Sequence, residues 1–265
     1  MPEHFDKICE FDSEIHDVLV ENMPLVFELI KSVQIPNTAN TMLLFITKTN
    51  FIKEGIFELY ESQNLYSMNI LFRSLIEHFL RFQYIFFRLG IDKNDSAGED
   101  YLKFCSYSEN VDTGKAWKDV ARILDNDPGL DPFEILMEIT PDLKNYTKQD
   151  IIEKINQFRY KNIIRFIDNK LNKEKKYSDN SFLLKIIPLY SELSSFVHGG
   201  PSSDHLMMEN FSEDIRSKEL LRIVSLAFSM TASVKLFSFL MYHQYDKRFG
   251  QAYLKIDNII KKYNR

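Results

Sequence analysis

The chain has 265 residues, of which 45% are hydrophobic, so it is long enough to bury a sizeable core and fold unaided. Its formal net charge of -5 and its pI near 5.8 argue against a surface that is basic all over, as a protein that coats nucleic acid would have. These numbers do not exclude a local basic patch.

Cys9 and Cys105 are the only cysteines of the chain. Neither lies at a spacing typical of a metal site, so free thiols in a reducing compartment are expected. The N-terminal segment is polar and acidic, and no uninterrupted run of about 18 apolar residues occurs in the sequence. These features predict a cytoplasmic protein that does not enter a membrane.

The 8 glycines and 8 prolines are few for this length, which leaves little material for tight turns and predicts long helices. Apolar residues recur at the spacing of one face of an amphipathic helix. We therefore predict an all-α protein, a single domain over residues 1–265 built as a helical bundle, with residues 99–177 as a helical insertion or subdomain.

In chain order, the predicted bundle helices cover residues 5–30, 40–61, 65–89, 181–198 and 212–245, followed by a short helix over 252–263. Pro24 is expected to break or kink the first helix. Residues 35–38 are expected to form a loop before the second. Gly90 is expected to cap the third helix, ahead of a polar loop over 91–98.

The segment 99–177 is more polar than the rest, and its prolines divide it into short predicted helices at 101–106, 116–124, 132–138 and 148–170. The last of these mixes basic residues with Phe158, Tyr160 and Phe166, a pattern that suits contact with RNA phosphates and bases. A solvated helix with its apolar side on the core is the favoured alternative.

Three ionisable side chains interrupt the apolar helix predicted over residues 65–89. Arg73, Glu77 and His78 lie within six positions of one another. Buried charge is costly unless it is paired and hydrogen-bonded. These groups must therefore face water or pair with one another and with other polar groups.

A second polar group occurs late in the chain. Tyr190, Ser194 and His198 lie four residues apart and so share one helical face. Gly199 and Gly200 follow, which predicts that His198 ends its helix. At a helix C-terminus the macrodipole favours the imidazolium form, and a nearby carboxylate would favour it further.

The sequence R-S-L-I-E-H, with Arg73, Ser74 and His78, resembles the pattern of Arg, polar residue, three residues and His that marks the HEPN superfamily of all-helical nucleases. The resemblance implies a HEPN-like bundle in which Arg and His of two protomers meet across a dimer interface and cleave RNA without a metal. His78 would then move protons and Arg73 would hold the scissile phosphate, as suits an imidazole and a guanidinium fork.

A second resemblance covers more of the chain. The motif R-S-L-I-E, combined with Y-x-x-x-S-x-x-x-H-G, is similar to an uncharacterised bacterial helical family related to HEPN-like bundles. This resemblance implies a cluster of Arg73, Glu77, Tyr190, Ser194 and His198 between two helices, with the histidine at position 78 incidental. A satisfied buried polar network that fixes helix register is the alternative to a functional site.

Other patterns carry less chemistry. His205 and His243 lack partners at metal-ligand spacing, and Ser203-Asp204-His205 is a loop tripeptide rather than a catalytic triad. No glycine-rich phosphate loop occurs. The sequence therefore implies neither a cofactor nor a metal.

HEPN-like bundles pair across two-fold interfaces. In this chain Phe79, Phe82, Phe86 and Phe87 form an aromatic strip that is wider than one bundle face usually needs. We therefore predict a homodimer.

Two functions from different classes follow. The first is a metal-independent endoribonuclease of HEPN-like type, a toxin or phage-defence effector that acts on RNA, with Arg73, Glu77, His78 and His198 as catalytic residues. The second is a non-catalytic helical sensor, or an accessory subunit with a protein partner in a bacterial defence assembly. The Arg, Glu and His constellation favours the first, whereas the acidic balance and the insertion favour the second.

Overall fold

A computed structural model describes residues 2–32, 34–124, 129, 131–172, 182–201, 203–204 and 212–264. Within these ranges every regular element is helical and no strand occurs, so the all-α prediction is confirmed. The α-helices are α1 (Pro2–Ile30), α2 (Pro36–Glu61), α3 (Leu65–Asp92), α4 (Ser96–Ile123), α5 (Pro132–Ile139), α6 (Lys148–Asn156), α7 (Tyr160–Phe166), α8 (Phe182–Glu192), α9 (Ser194–His198), α10 (Glu213–Tyr245) and α11 (Gly250–Tyr263). Short 3-10 segments at Pro141–Leu143 and Lys247–Phe249 and a π-helical segment at Ile167–Asn172 complete the elements.

The core of the bundle lies between α2, α3 and α10. Phe45 of α2, Phe72 of α3 and Phe239 of α10 are almost completely buried there. The three-residue connection between α2 and α3 is present as predicted, and it turns α3 back against α2. The helix α3 is therefore central in the bundle, since it packs against α2 and α10 and also contacts α4, α7, α8 and α9.

The first helix does not break at Pro24, contrary to expectation, because α1 runs through it to Ile30. Proline removes one backbone hydrogen bond, the one normally made to the carbonyl four residues earlier. Pro24 lies on the exposed side of α1, and Val20 is 54% exposed. On this exposed side of the helix, water can reach the backbone and replace the missing donor.

The second helix begins at Pro36 rather than near residue 40. Its N-terminus is capped by the side chain of Asp95, which lies far along the chain, in the loop between α3 and α4. The backbone N–H groups of Asn37 and Thr38 donate to the Asp95 carboxylate over 2.9 and 2.7 Å. These donors have no partner inside a helix's first turn, and a carboxylate there also complements the helix dipole. The predicted loop at 35–38 is thereby converted into the first turn of α2.

The helix α4 crosses this first turn at a glycine. A Cβ atom on Gly98 would lie 2.4 Å from both the backbone nitrogen and Cα of Thr38. The hydroxyl of Thr41 donates to the Gly98 carbonyl over 3.3 Å. Glycine is therefore required at position 98 by the close approach of two backbones.

The third helix does not end at Gly90 as predicted. It continues to Asp92, and Lys93 takes the left-handed conformation with its N–H donating to the Leu89 carbonyl over 2.9 Å. An ion pair of 2.6 Å between Arg88 and Asp92 bridges the last turn. The predicted loop over 91–98 shortens accordingly to three residues between α3 and α4.

The segment 99–177 differs from prediction in its helices. The helix α4 is a single element of 28 residues, whereas two short helices were expected within it. The predicted helix 148–170 is instead divided into α6 and α7. The first turns of α4 join the main core through Ala97 and Tyr101. Further along, a second small core is formed by Phe104, Val111, Leu136, Leu143, Ile151 and Ile155.

Several aromatic residues that were predicted to contact a second protomer or RNA pack against other residues of the same chain. Phe79 and Phe82 of the predicted dimer strip are 2% and 0% exposed, and Phe86 packs on Phe237 with ring centroids 5.1 Å apart. Phe158 is 3% exposed, and Phe166 packs edge-on against Tyr84. Phe79 and Phe82 are thus core, whereas Phe86 and Phe87 are partly buried against it, and the homodimer stays a prediction. Phe158 is core as well, so its ring is not free to stack on RNA bases.

The helix α10 is long and apolar enough by length and composition to cross a membrane, and 61% of its apolar window is buried inside the protein. Its fully buried residues include Val224, Ala227 and Val234. Such burial is what a central core helix shows.

A buried cluster of charge connects three helices. Lys53 of α2 and Lys235 of α10 are 0% and 1% exposed, and both ammonium groups contact the carboxylate of Asp12 on α1. The Asn50 side-chain oxygen also accepts from Lys53 over 3.1 Å, and Glu54 lies 3.0 Å from the same nitrogen. Burial lowers the pKa of Lys235 to about 8, and the Asp12 carboxylate only partly offsets this effect.

The first prediction concerns the pH dependence that Lys235 imposes on stability. Its pKa is about 8 when folded and 10.5 ordinarily, so between these values the unfolded chain binds the proton more tightly than the folded chain. The unfolding free energy of the wild type should therefore rise with pH across this window, relative to that of Lys235→Met, by up to about 3 kcal/mol. Urea denaturation at pH 7.5, 8.5 and 9.5 measures the difference.

The matched control is Lys255→Met, since Lys255 pairs with Glu21 at the surface over 3.1 Å. This variant shows what the loss of a surface ammonium does to stability over the same pH range. A pH dependence for Lys235→Met no steeper than that for Lys255→Met would contradict the assigned effect of burial.

Candidate functional site

One side of α3 carries a row of polar residues, Asn69, Arg73, Glu77 and Arg81, spaced by four positions. We refer to these four residues as the polar row. The guanidinium of Arg73 donates to the Tyr190 hydroxyl over 3.0 Å and to the Ser194 hydroxyl over 3.5 Å. It also pairs with Glu77 over 3.3 Å. The structure therefore brings together four of the residues selected from the sequence.

Tyr190 is held by contacts on several sides. Its ring stacks on Tyr160 of α7 with centroids 4.1 Å apart, and the Arg73 guanidinium carbon lies 4.7 Å from its ring centroid. The Tyr160 hydroxyl donates to the Ile187 carbonyl over 3.1 Å. Burial, with the neighbouring Glu77 carboxylate, raises the pKa of Tyr190, so its hydroxyl keeps its proton near neutral pH.

Arg81 completes the cluster, and it lies outside the motifs recognised in the sequence. Its guanidinium pairs with Glu77 over 2.6 Å, so the carboxylate lies between two arginines. The side chains of Glu77 and Arg81 are each 29% exposed, and that of Arg73 is 15% exposed. The cluster is thus half-buried rather than sealed. The four-residue spacing from Glu77 to Arg81 was the available signal.

The predicted helix over 181–198 is divided at Leu193 into α8 and α9. Its predicted C-terminus is correct, because Gly199 is left-handed with φ of 63° and its N–H donates to the Ser195 carbonyl. His198 is exposed at the end of α9. In the described part of the chain no hydrogen bond or ion pair joins it to the polar row, so its catalytic role stays a prediction.

His78 lies in a different environment from Arg73. Its ring packs edge-on against Phe45 of α2, with centroids 6.3 Å apart, and its buried Nδ1 has no hydrogen-bond partner among the described residues. Burial, reinforced by the charges of Arg81 and Lys48, lowers the pKa of His78 to about 4. The imidazole is therefore neutral at pH 7. Ser74, the polar residue of the short motif, is half-buried and outside the network.

A pocket of about 630 Å³ opens beside the cluster, where α3, α8, α9 and α10 meet. Leu189 and Leu193 line it, and each directly precedes a partner of Arg73 in the chain. Asn69, the first residue of the polar row, also lines it and is 4% exposed. A largely apolar concavity with a few polar groups is the usual form of a small-molecule site.

The remaining candidate residues lie apart from this region. Within the described ranges no group of three or more His, Cys, Asp or Glu side chains is arranged to hold a metal. His243 packs against Gly250, where a Cβ would lie 2.9 Å from its ring. Ser203 donates to the Gly200 carbonyl over 2.6 Å. His205 lies outside the described residues.

The fold and the cluster define an all-α protein with a half-buried polar site between its central helix and a pair of short helices. Residues 40–215 match the model of a family of unknown function, DUF5677, which is more than half of the chain. The chain belongs to this family. The matched range contains Arg73, Glu77, Tyr190 and Ser194. No curated protein and no solved structure matches the chain.

The second prediction tests the link between α3 and α8. Arg73→Met and Tyr190→Phe should each lower the unfolding free energy, since each removes the hydrogen bond of 3.0 Å. The double variant should lose less than the sum, with a coupling of about 1 kcal/mol. Chemical denaturation of the four proteins measures this cycle.

As a control, Arg165→Met removes an exposed arginine whose bond of 3.3 Å goes to Asn162 on its own helix. Its effect should add to that of Tyr190→Phe without coupling. Additivity in the Arg73 cycle would show that the observed contact contributes nothing to stability.

The third prediction concerns His78. Because its pKa falls from 6.5 in an ordinary setting to about 4 in the fold, the unfolded chain binds the proton more tightly between these values. The wild type should lose stability relative to His78→Gln as the pH falls from 6.5 toward 4, by up to about 3 kcal/mol. Melting curves collected over this pH range test the sign.

His16→Gln is the matched control, because His16 is exposed on α1. This variant shows what the loss of an exposed imidazole does to stability at each pH. If the stability difference between the wild type and His78→Gln changed with pH no more than that for His16→Gln, the assigned burial of the imidazole would be refuted.

Proposed function

We propose that this protein is a non-catalytic helical binding module, a sensor or accessory subunit whose pocket beside the polar row takes a small ligand. The observation that carries the proposal is that the Arg73 guanidinium is already hydrogen-bonded and ion-paired within the chain. Its guanidinium already contacts Glu77, Tyr190 and Ser194 within the chain. A phosphate would have to displace these partners before this arginine could hold it.

The imidazole of the short motif supports the same conclusion. A general acid or base works best when its pKa lies near the operating pH. The pKa of His78 is about 4, and its ring packs on Phe45 in the bundle. It is therefore poorly suited to move protons at neutral pH.

The contacts of the cluster offer a way to sense a ligand. Leu193 lines the pocket, and the next residue, Ser194, receives a hydrogen bond from Arg73. A ligand that shifts α9 would change this contact and, through Glu77, the pairing with Arg81. The polar row thus couples pocket occupancy to the central helix. The bacterial defence setting rests on the sequence resemblance alone.

The fourth prediction is that the pocket binds the neutral fluorescent probe N-phenyl-1-naphthylamine at one site per chain. Ile215 lines the pocket and is 53% exposed, so Ile215→Lys should fold normally and weaken binding by about tenfold. Ile123→Lys, at an 81% exposed position on α4, should leave binding unchanged. Equal affinities in all three proteins would contradict the proposed site.

The HEPN-like endoribonuclease is the second candidate, and one observation favours it. Glu77 and Arg81 are each 29% exposed, and His198 is exposed at the end of the short helix that contains Ser194. A substrate that opens the Arg73 contacts would meet two arginines, a carboxylate and an imidazole. As predicted from the resemblance, this function includes RNA as the partner and a homodimer as the active form.

An RNA-cleavage assay in EDTA separates the two candidates. The binding module should leave end-labelled RNA intact. Under the nuclease alternative the wild type cleaves, Arg73→Ala is inactive, and His198→Ala loses at least as much activity as His78→Ala. Light scattering on the same sample measures the molar mass and so tests the predicted dimer. Circular dichroism checks that each variant is folded.

A further inference from the structure

The pocket beside the polar row has a mixed lining that restricts its ligand. Its apolar lining is formed by Leu65, Leu189, Leu193, Phe196 and Ile215, with the buried Asn69 beside them. Phe196 is held in place because its carbonyl accepts from the Tyr66 hydroxyl over 3.2 Å, and the two rings pack 5.7 Å apart. An apolar ligand body would bury its surface here and gain the hydrophobic free energy of transfer from water.

The charged rim is supplied mainly by the first turns of α10. Arg222 donates twice to Glu219, over 2.7 and 2.6 Å, and the charge of Glu192 also acts on it. Lys218 pairs with Asp214 over 2.6 Å. Both cations are therefore already paired with carboxylates.

Arg216 differs from these two cations. It lines the same pocket, and its guanidinium donates to the backbone carbonyl of Gln63, which is a neutral acceptor. No carboxylate in the described part of the chain lies within ion-pair distance of it. Arginine presents several donors in a fixed fork, so donors remain for a bidentate contact with an anionic group.

We infer that the pocket takes an anionic amphiphile, with its apolar body against Leu65, Leu193 and Phe196 and its carboxylate or phosphate head group on Arg216. The inference rests on the proposed function, because it names the class of ligand for that same pocket. Carboxylate and phosphate share the chemistry that Arg216 recognises. A neutral probe would bind through the apolar lining only. An anionic head group would add a contact with Arg216 at the rim of the pocket.

The test compares decanoate, decyl phosphate and neutral 1-decanol as competitors of N-phenyl-1-naphthylamine, each below its micelle concentration. On the wild type the better of the two anions should bind at least about tenfold more tightly than 1-decanol. Which anion binds more tightly identifies the head group. Arg216→Gln should reduce this preference to within about threefold and leave the affinity for 1-decanol unchanged, whereas Arg216→Lys should keep part of it.

Arg248→Gln is the matched control, because Arg248 pairs with Glu28 and Asp246 at the surface, away from the pocket lining. It should retain the full preference for the anion. Equal affinity of the wild type for both anions and 1-decanol, or a preference that survives in Arg216→Gln, would overturn the inference while the proposed pocket stands. Failure of the neutral probe to bind at all would overturn both.

Discussion

The structure depends on the burial of two lysines against one aspartate. Lys53 and Lys235 come from α2 and α10, and Asp12 comes from α1, so the charges are satisfied only when all three helices are in place. Removing one partner of such a cluster leaves an uncompensated charge in the interior, which is strongly destabilising. The lowered pKa of Lys235 is the sign that compensation is incomplete. Asp12 and Lys235 lie outside the family match over residues 40–215, so this chain completes its core with helices beyond that range.

The central helix α3 serves different neighbours on different sides. Arg73 faces Tyr190 and Ser194, whereas His78, five positions later, packs against Phe45 of α2. A separation of five residues turns the helix by about 140°, so the two side chains of the short motif meet different surroundings. The pairing Arg73–Glu77 follows the four-residue spacing instead. The residues that the structure groups together are thus those that share a helical face.

The same arrangement explains why a pocket and a polar cluster lie side by side. The segment that runs from α8 into α9 presents Leu189 and Leu193 to the pocket and Tyr190 and Ser194 to Arg73. Adjacent residues on a helix point in different directions, so one pair of short helices contributes to both sites. Any movement of these helices on ligand binding would alter the hydrogen bonds to α3. The proposed sensing role depends on this geometry.

The sequence by itself determined the helical class, the α2–α3 connection and the extent of α10, because apolar periodicity and turn residues are local signals. Four-residue spacing also placed Arg73 with Glu77, and Tyr190 with Ser194 and His198, on shared helical faces, whereas the cluster that joins the two groups was implied by the family resemblance. Only the tertiary structure decided that Asp95 caps α2, that Lys53 and Lys235 share Asp12, and that Phe79 and Phe82 on α3 are core. Each of these depends on groups that are distant in the chain and meet only after the helices have packed.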